Sequence, residues 1–102
     1  MDLQKLLKQA QKMQGTIQQV ETECNEAEYN GSAGGDGVKV TIKGTYELIS
    51  LDINDELLEK DNKEILEDLI KVAINGAVAL ASKEREEKMG EVTAGVKMPG
   101  MF

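Results

Sequence analysis

Apolar residues in the first quarter of the chain recur at alternating steps of three and four. A 3.5-residue repeat lines them up along one narrow stripe of an α-helix, which is typical of a helix that packs lengthwise against another helix. A helix over residues 3–27 is about 37 Å long, whereas a compact domain of about 100 residues is only about 33 Å across. The tip of this helix is therefore expected to project. The stripe consists of Leu3, Leu6, Ala10, Met13, Ile17, Val20, Cys24 and Ala27.

The next part of the chain alternates polar and apolar residues, which predicts β-strands. A short strand is expected over residues 27–31, followed by a glycine-rich loop at residues 32–37. Val38–Lys43 predicts a half-buried strand, and Tyr46–Ile53 follows after a turn at Gly44. The short links favour an antiparallel meander. The third strand is predicted to carry Ile49, Leu51 and Ile53 on one face and Tyr46, Leu48 and Ser50 on the other.

The last helix is predicted to begin near Asp61, with Glu64 completing a variant of the capping box. Its middle, Leu69–Ala81, is apolar nearly all round, and one face of a small sheet cannot bury such a helix. We expect one side of the helix to cover the sheet and another side to meet a second subunit. The charged run Lys83–Lys88 continues the helix into solvent.

These elements predict a single α+β domain with the order α-β-β-β-α. It has a three-stranded antiparallel sheet, two long flanking helices and two-fold homodimer symmetry with projecting helical arms. Within residues 1–102, the N-terminal helical arm is expected at 1–28 and the meander at 29–53. The C-terminal helices are expected at 54–89 and a flexible tail at 90–102.

The composition argues against an enzyme. The chain has no His, the commonest general base near neutral pH and the commonest metal ligand, and its single Cys cannot form an internal disulfide. The glycine-rich segment leads into a strand, whereas a phosphate-binding loop leads into a helix. No catalytic residue, cofactor or metal site is predicted. Because the first residues do not resemble a signal peptide, we expect a cytoplasmic protein without a membrane partner.

The net charge of −7 argues against a protein that coats polyanions over its whole surface, so a nucleic-acid role needs a local basic patch. Lys5, Lys8 and Lys12 fall within about 60° of one another on a helix, away from the apolar stripe and among several Gln. Lysines neutralise phosphates, and Gln amides bond phosphate oxygens or base edges. The same residues also suit the solvated exterior of a coiled coil, so spacing alone leaves both interpretations open.

A second basic set lies in the last helix. Its three cations alternate with glutamates, so ion pairs within the helix are the leading explanation for their presence. The set consists of Lys83, Arg85 and Lys88.

Seven short fragments follow one another in order over nearly the whole chain: Gln9–Gln14, Gly37–Gly44, Leu51–Ile53, Leu66–Ile70, Ala73–Ala77, Glu87–Met89 and Pro99–Phe102. Together they resemble the YbaB/EbfC family of bacterial nucleoid-associated proteins. The resemblance implies a homodimer whose helices project like the arms of tweezers, a location in the cytoplasmic nucleoid, and duplex DNA as partner. It also implies that DNA binding alters DNA conformation or gene expression.

The resemblance places the DNA contacts on the projecting arms. These carry Lys5, Lys8 and Lys12, with Lys83, Arg85 and Lys88 as weaker candidates. Gly76 departs from the resemblance, because many members of that family carry an acidic residue there, and glycine weakens a helix interior.

Two hypotheses follow. The first is a homodimeric architectural protein that grips duplex DNA with its helical arms. The alternative is a dimeric coiled-coil scaffold or chaperone-like module that holds a protein partner and does not touch DNA. The acidic balance, Leu7 beside the stripe, and the C-terminal Met98, Met101 and Phe102 support the alternative.

Overall fold

The structure, a computed structural model, describes residues 2–94 and has two long helices flanking three strands. Helix α1 spans Leu3–Glu26 and helix α2 spans Lys63–Ala94. Two single-turn 3-10 helices, Asp55–Leu57 and Lys60–Asn62, precede α2. The predicted α-β-β-β-α order and the α+β class are confirmed. Strands β1, β2 and β3 span Glu28–Ala33, Val38–Lys43 and Leu48–Ile53.

Helix α1 begins at a side-chain cap. The Asp2 carboxylate accepts a hydrogen bond from the Gln4 backbone N–H at 3.0 Å, which satisfies one of the free donors of the first turn. Burial of the apolar stripe then increases along the helix: Leu3 is exposed, Ile17 is half-buried and Cys24 is buried. Helix α2 packs against α1. The buried end of the stripe therefore anchors α1, and the other end projects.

The three strands form an antiparallel sheet in the order β1-β2-β3. We call the face that carries Val38, Val40 and Ile42 the inner face, because it packs on α2. Strand β1 extends to Ala33, further than the predicted strand, and residues 34–37 close the hairpin as a tight turn. Gly34, Gly35 and Asp36 of this turn all have positive φ, a region that Gly adopts freely and Asp tolerates.

The predicted faces of β3 do not hold at two residues, Leu48 and Ile49. Thr41 pairs with Ser50, but Ile42 pairs with Leu48, so Ile49 is an extra, bulged residue. A bulge interrupts the strict alternation of side chains, and directly paired residues share a face. Leu48 therefore joins Leu51 on the inner face.

The core is built from branched side chains of β2 and small side chains of α2. Ala73, Ala77 and Ala81 are buried against the inner face, and they let the helix lie close to the sheet. Gly31 of β1 is required for this approach, because a Cβ atom there would overlap the Ala73 carbonyl oxygen. The helix packs chiefly on β1 and β2. The inner face of β3 is left largely uncovered.

Both ends of α2 differ from the sequence prediction. Asp61 lies in the second 3-10 helix, α2 begins at Lys63, and no capping hydrogen bond from Asp61 is present among residues 2–94. The preceding 3-10 turn continues directly into the helix, so the predicted capping box is not used. At the other end, α2 continues past Met89 to Ala94, so the predicted tail begins too early. The remainder of that tail, residues 95–102, lies outside the described residues.

The molecule is elongated, with extents of 70 × 24 × 15 Å and a radius of gyration of 20.1 Å. A compact chain of this length would have a radius of gyration near 13 Å. Gly44, at one end of β2, packs on Cys24 at the base of α1, whereas Gly37, at the other end, packs on Leu57. The arm and the acidic segment around residues 52–68 therefore lie at opposite ends of the sheet.

Candidate nucleic-acid interface

The first basic set lies on the solvent-facing side of α1. Lys5, Lys8 and Lys12 are all exposed, and they span about 10 Å along the helix axis. Among residues 2–94, none of the three has a carboxylate within 4 Å, whereas three other lysines do. The structure therefore presents these three ammonium groups to solvent as a row, as the sequence predicted.

The charge order along α1 is the reverse of the order that stabilises a helix. Acidic residues near the N-terminus and basic residues near the C-terminus favour the helix dipole. Helix α1 has no acidic residue in its first turn and no basic residue in its last turn. Lys5 stands in the first turn, and Glu23 and Glu26 stand near the end. Helix stability does not explain the basic half of this arm, so its charges need another explanation.

Arg85 is engaged inside the chain. Its Nη2 donates to the Asn25 side-chain oxygen at 2.7 Å and to the Gly44 carbonyl oxygen at 2.9 Å. The guanidinium is half-buried where α2 passes the end of α1 and the β2–β3 turn. Local spacing does not predict this role, because both acceptors are distant in the chain and neither is acidic.

Lys88 is also paired. Its ammonium lies 3.2 Å from the Glu84 carboxylate one helical turn earlier, and this interaction raises the pKa of Lys88. The predicted intrahelical ion pair is therefore confirmed for Lys88. Arg85 and Lys88 are therefore both engaged inside the chain, unlike the three lysines of α1.

Lys83 is exposed at the rim of an open groove of about 690 Å³ between β1 and the second half of α2. Four glutamates and two lysines line the groove, so its charge is net negative. A phosphate is poorly stabilised in such a setting. The carboxylates belong to Glu28, Glu84, Glu87 and Glu91.

Tyr29 lies at the inner wall of this groove and is 7% exposed. Its hydroxyl is buried and has no hydrogen-bond partner within residues 2–94, although the Glu84 carboxylate is close enough to act on it electrostatically. Burial, followed by Glu84, raises the pKa of Tyr29 to about 12. The phenol is therefore neutral at physiological pH and serves as part of the core.

Within residues 2–94, no three His, Cys, Asp or Glu side chains gather closely enough to hold a metal ion. In the same range, neither helix has a segment apolar enough to cross a membrane.

The fold defines a class: a three-stranded antiparallel sheet backed by one long helix, with a second long helix projecting as an arm. An uncharacterized protein from Helicobacter pylori has this fold in its crystal structure. The TM-score is 0.77 and the sequence identity is 25%, over 91% of this chain and 98% of that one.

Sequence comparisons identify the family within that class. The chain belongs to the YbaB/EbfC DNA-binding family, whose model matches residues 1–96. It is 42% identical over 102 residues to a nucleoid-associated protein of Clostridium novyi (strain NT), covering 100% of this chain and 90% of that protein. It is 45% identical over 98 residues to a nucleoid-associated protein of Methylocella silvestris, covering 96% and 92%. The family expected from the sequence fragments is therefore confirmed.

Proposed function

We propose that this protein binds duplex DNA as a homodimer, mainly through phosphate contacts made by Lys5, Lys8 and Lys12 of each α1 arm. The observation that carries the proposal is the row of exposed, unpaired lysines on a projecting helix whose charge order opposes its own dipole. Family membership and the names of the relatives support DNA as the polyanion. Of the second basic set, Lys83 is retained as a peripheral contact, because Arg85 and Lys88 have internal partners.

The separation of charge along the molecule reconciles this proposal with the acidic composition. Residues 2–12 carry a net charge of +2, whereas residues 52–68 carry −6. The acidic segment lies beyond the sheet, several Debye lengths of about 8 Å from the arm tip at physiological salt. Its repulsion of DNA held at the arms is therefore screened. The acidic end instead restricts the orientation in which DNA can approach.

The homodimer is proposed from the uncovered apolar surface of β3. Leu48, Ile49 and Leu51 are each more than 40% exposed, and β3 is an edge strand with free backbone donors and acceptors. An exposed apolar edge strand is a site of pairing with another chain. A second copy of this chain is the occupant that agrees with the two-fold assembly expected from the sequence.

A dimer presents two arms to one duplex, so the DNA between them is held at two places. We propose that this restraint alters DNA conformation and thereby gene expression. The corresponding location is the nucleoid in the bacterial cytoplasm.

The direct test is charge reversal of the arm row. Replacing Lys5, Lys8 and Lys12 together by Glu lowers the net charge per chain from −7 to −13, at two charges per substitution. The matched control reverses Lys60, Lys63 and Lys71, three exposed lysines at the far end of the body, with the same change in net charge. We expect the arm variant to lose a gel shift with random duplex DNA and the control to keep it. Equal loss in both variants, or binding by the arm variant, would contradict the assignment.

The protein-scaffold alternative is favoured by one observation. Leu3 is 73% exposed and Leu7 59% exposed at the arm tip, where a helix partner could cover them. Replacing both by Ser would weaken capture of a protein client and leave phosphate neutralisation intact. DNA binding that survives this double substitution supports the first proposal. A wild-type protein that shifts no duplex at low salt but holds a nuclease-resistant protein partner supports the alternative.

A further inference from the structure

The direction of the α1 arm is decided at a single residue. Ala27 alone separates the end of α1 from the start of β1, with φ −66° and ψ 150°. One residue has two soft backbone dihedrals, so rotation at Ala27 swings the whole helix. Lys5 lies about 30 Å along the axis from Asn25, and a rotation of about 10° moves it by about 5 Å. That displacement exceeds the 2.7–2.9 Å length of a charge-assisted hydrogen bond.

A closed set of hydrogen bonds surrounds this residue. Arg85 of α2 bonds Asn25 on the arm side of Ala27 and Gly44 on the sheet side. The Gly44 N–H in turn donates to the Ala27 carbonyl at 2.9 Å. Arg85, Asn25, Gly44 and Ala27 therefore link α2, α1 and the β2–β3 turn around the pivot. We call these four residues the hinge clamp.

The geometry of the clamp depends on residue type. A Cβ atom at position 44 would overlap the Cys24 carbonyl oxygen, so only Gly allows this approach. The two N–H groups on Arg85 Nη2 donate the two hydrogen bonds, and the planar guanidinium fixes their directions. A Lys ammonium is a rotatable point charge and does not fix two such directions. Tyr46 from the same turn also reaches α2, with its hydroxyl 3.1 Å from Ser82 Oγ.

Packing along the apolar stripe does not replace this clamp. Met13, Ile17 and Val20 are half-buried, which resists separation of α1 from α2. Contact along one stripe still allows one helix to roll over the other, because the ridges and grooves of such pairs tolerate a range of crossing angles. Bonds to Asn25 and Gly44 on both sides of the pivot remove that freedom.

We propose that Arg85 is a positioning residue. By clamping the Ala27 hinge it fixes the direction in which each arm presents Lys5, Lys8 and Lys12, and it does not itself contact phosphate. The effect on DNA binding rests on the proposed function. The effect of the hinge clamp on the direction of the arm can be measured in the absence of DNA.

The experiment measures the arm direction and DNA binding on the same variants. Fluorophores are attached at Gln4→Cys on the arm and Lys39→Cys on the outer face of β2, both exposed positions. Cys24 is 1% exposed and stays unlabelled. Doubly labelled chains are diluted with an excess of unlabelled chain, and single-molecule energy transfer gives the distribution of arm positions. The variants are Arg85→Lys and Asn25→Ala, with Lys83→Gln as the control on the same helix. Arg85→Gln, which removes the positive charge, is added for the salt dependence of DNA binding.

We expect Arg85→Lys and Asn25→Ala to broaden the distance distribution and weaken DNA binding several-fold. The slope of log affinity against log salt stays unchanged, because no phosphate contact is lost. Asn25→Ala leaves every positive charge in place, and its exposed position keeps the fold intact even if position 85 tolerates no change. Lys83→Gln leaves the distribution narrow.

Unchanged distributions in both clamp variants would overturn the proposal. It would also be overturned if Asn25→Ala bound DNA normally while Arg85→Gln flattened the salt slope by about 0.9 for each arm, the signature of a lost phosphate contact. A broadened distribution in a protein that never binds DNA would support the clamp and refute the proposed function, so the two failures are distinguishable.

Discussion

At the scale of single residues, glycines of this chain have opposite structural roles that the sequence does not distinguish. Gly44 lies against the Cys24 carbonyl, where a Cβ atom would overlap the oxygen. Gly76 lies in the interior of α2 with nothing within 4 Å of the position that its Cβ would take. One glycine is required by contact with another element, and the other is only a weak helix former.

Replacing glycine by alanine is therefore expected to change the stability in opposite directions at these two positions. Gly76→Ala should stabilise the protein by about 1 kcal/mol, because Ala favours the helix and meets no neighbour. Gly44→Ala should destabilise it by about 1–3 kcal/mol, because the end of α1 must move away from the turn. Urea unfolding of both variants measures the difference. A loss of stability for Gly76→Ala would show that position 76 is covered in the assembly.

Tyr29 predicts a specific pH dependence. Its pKa is raised from 10.0 to about 12, so the native state holds the phenol proton more tightly than the unfolded state. The stabilisation is complete below pH 10 and is lost as the pH rises toward 12.

The matching variant is Tyr29→Phe. Its stability near pH 8 should equal or exceed that of the wild type, because the lost hydroxyl is buried without a hydrogen-bond partner in the described chain. Thermal unfolding of both proteins from pH 8 to pH 11 should show a shallower decline for the variant. Parallel declines would assign the alkaline sensitivity to other groups.

Among the secondary-structure elements, the spacing of apolar residues predicts the helices and strands, because this spacing is a local property of the sequence. The heptad stripe, the alternation in β2 and the apolar middle of α2 each correspond to an observed element. The bulge at Ile49 and the Arg85 contacts were not predictable, because pairing between distant segments decides both. The sequence predicts too early an end for α2 because Gly90 indicates a break, yet one exposed glycine costs a helix only about 1 kcal/mol.

The bulge leads to a prediction about dimerisation. It brings Leu48 and Leu51 together on the uncovered inner face of β3, whereas Ser50 lies on the outer face. Leu51→Glu would bury a carboxylate in the proposed interface, so it should convert dimer to monomer in sedimentation at micromolar concentration. Ser50→Glu is the control for added charge on the same strand and should leave the dimer intact. A wild-type protein that sediments as a stable monomer would contradict the proposed assembly.

At the scale of the whole molecule, shape and charge are coupled. The molecule is 70 Å long with an arm at one end, and its charges form a basic arm tip, an acidic arm base and an acidic far end. Net charge, read alone, argued against a polyanion partner. The sequence located the basic row, and the structure shows the orientation that keeps it away from the acidic segment. The candidate site was therefore predictable in its residues, but the internal use of Arg85 was not.

If the arm lysines neutralise DNA phosphates, the affinity for duplex DNA falls steeply as the salt concentration rises. Six lysines on two arms allow a slope of log affinity against log salt of at most about −5. Lys8→Gln removes one contact per arm and should flatten the slope by about 1.8. We predict a steep wild-type slope within this limit and that degree of flattening. Affinity that does not change with salt, or a slope that Lys8→Gln leaves untouched, would rule out phosphate neutralisation by the arms.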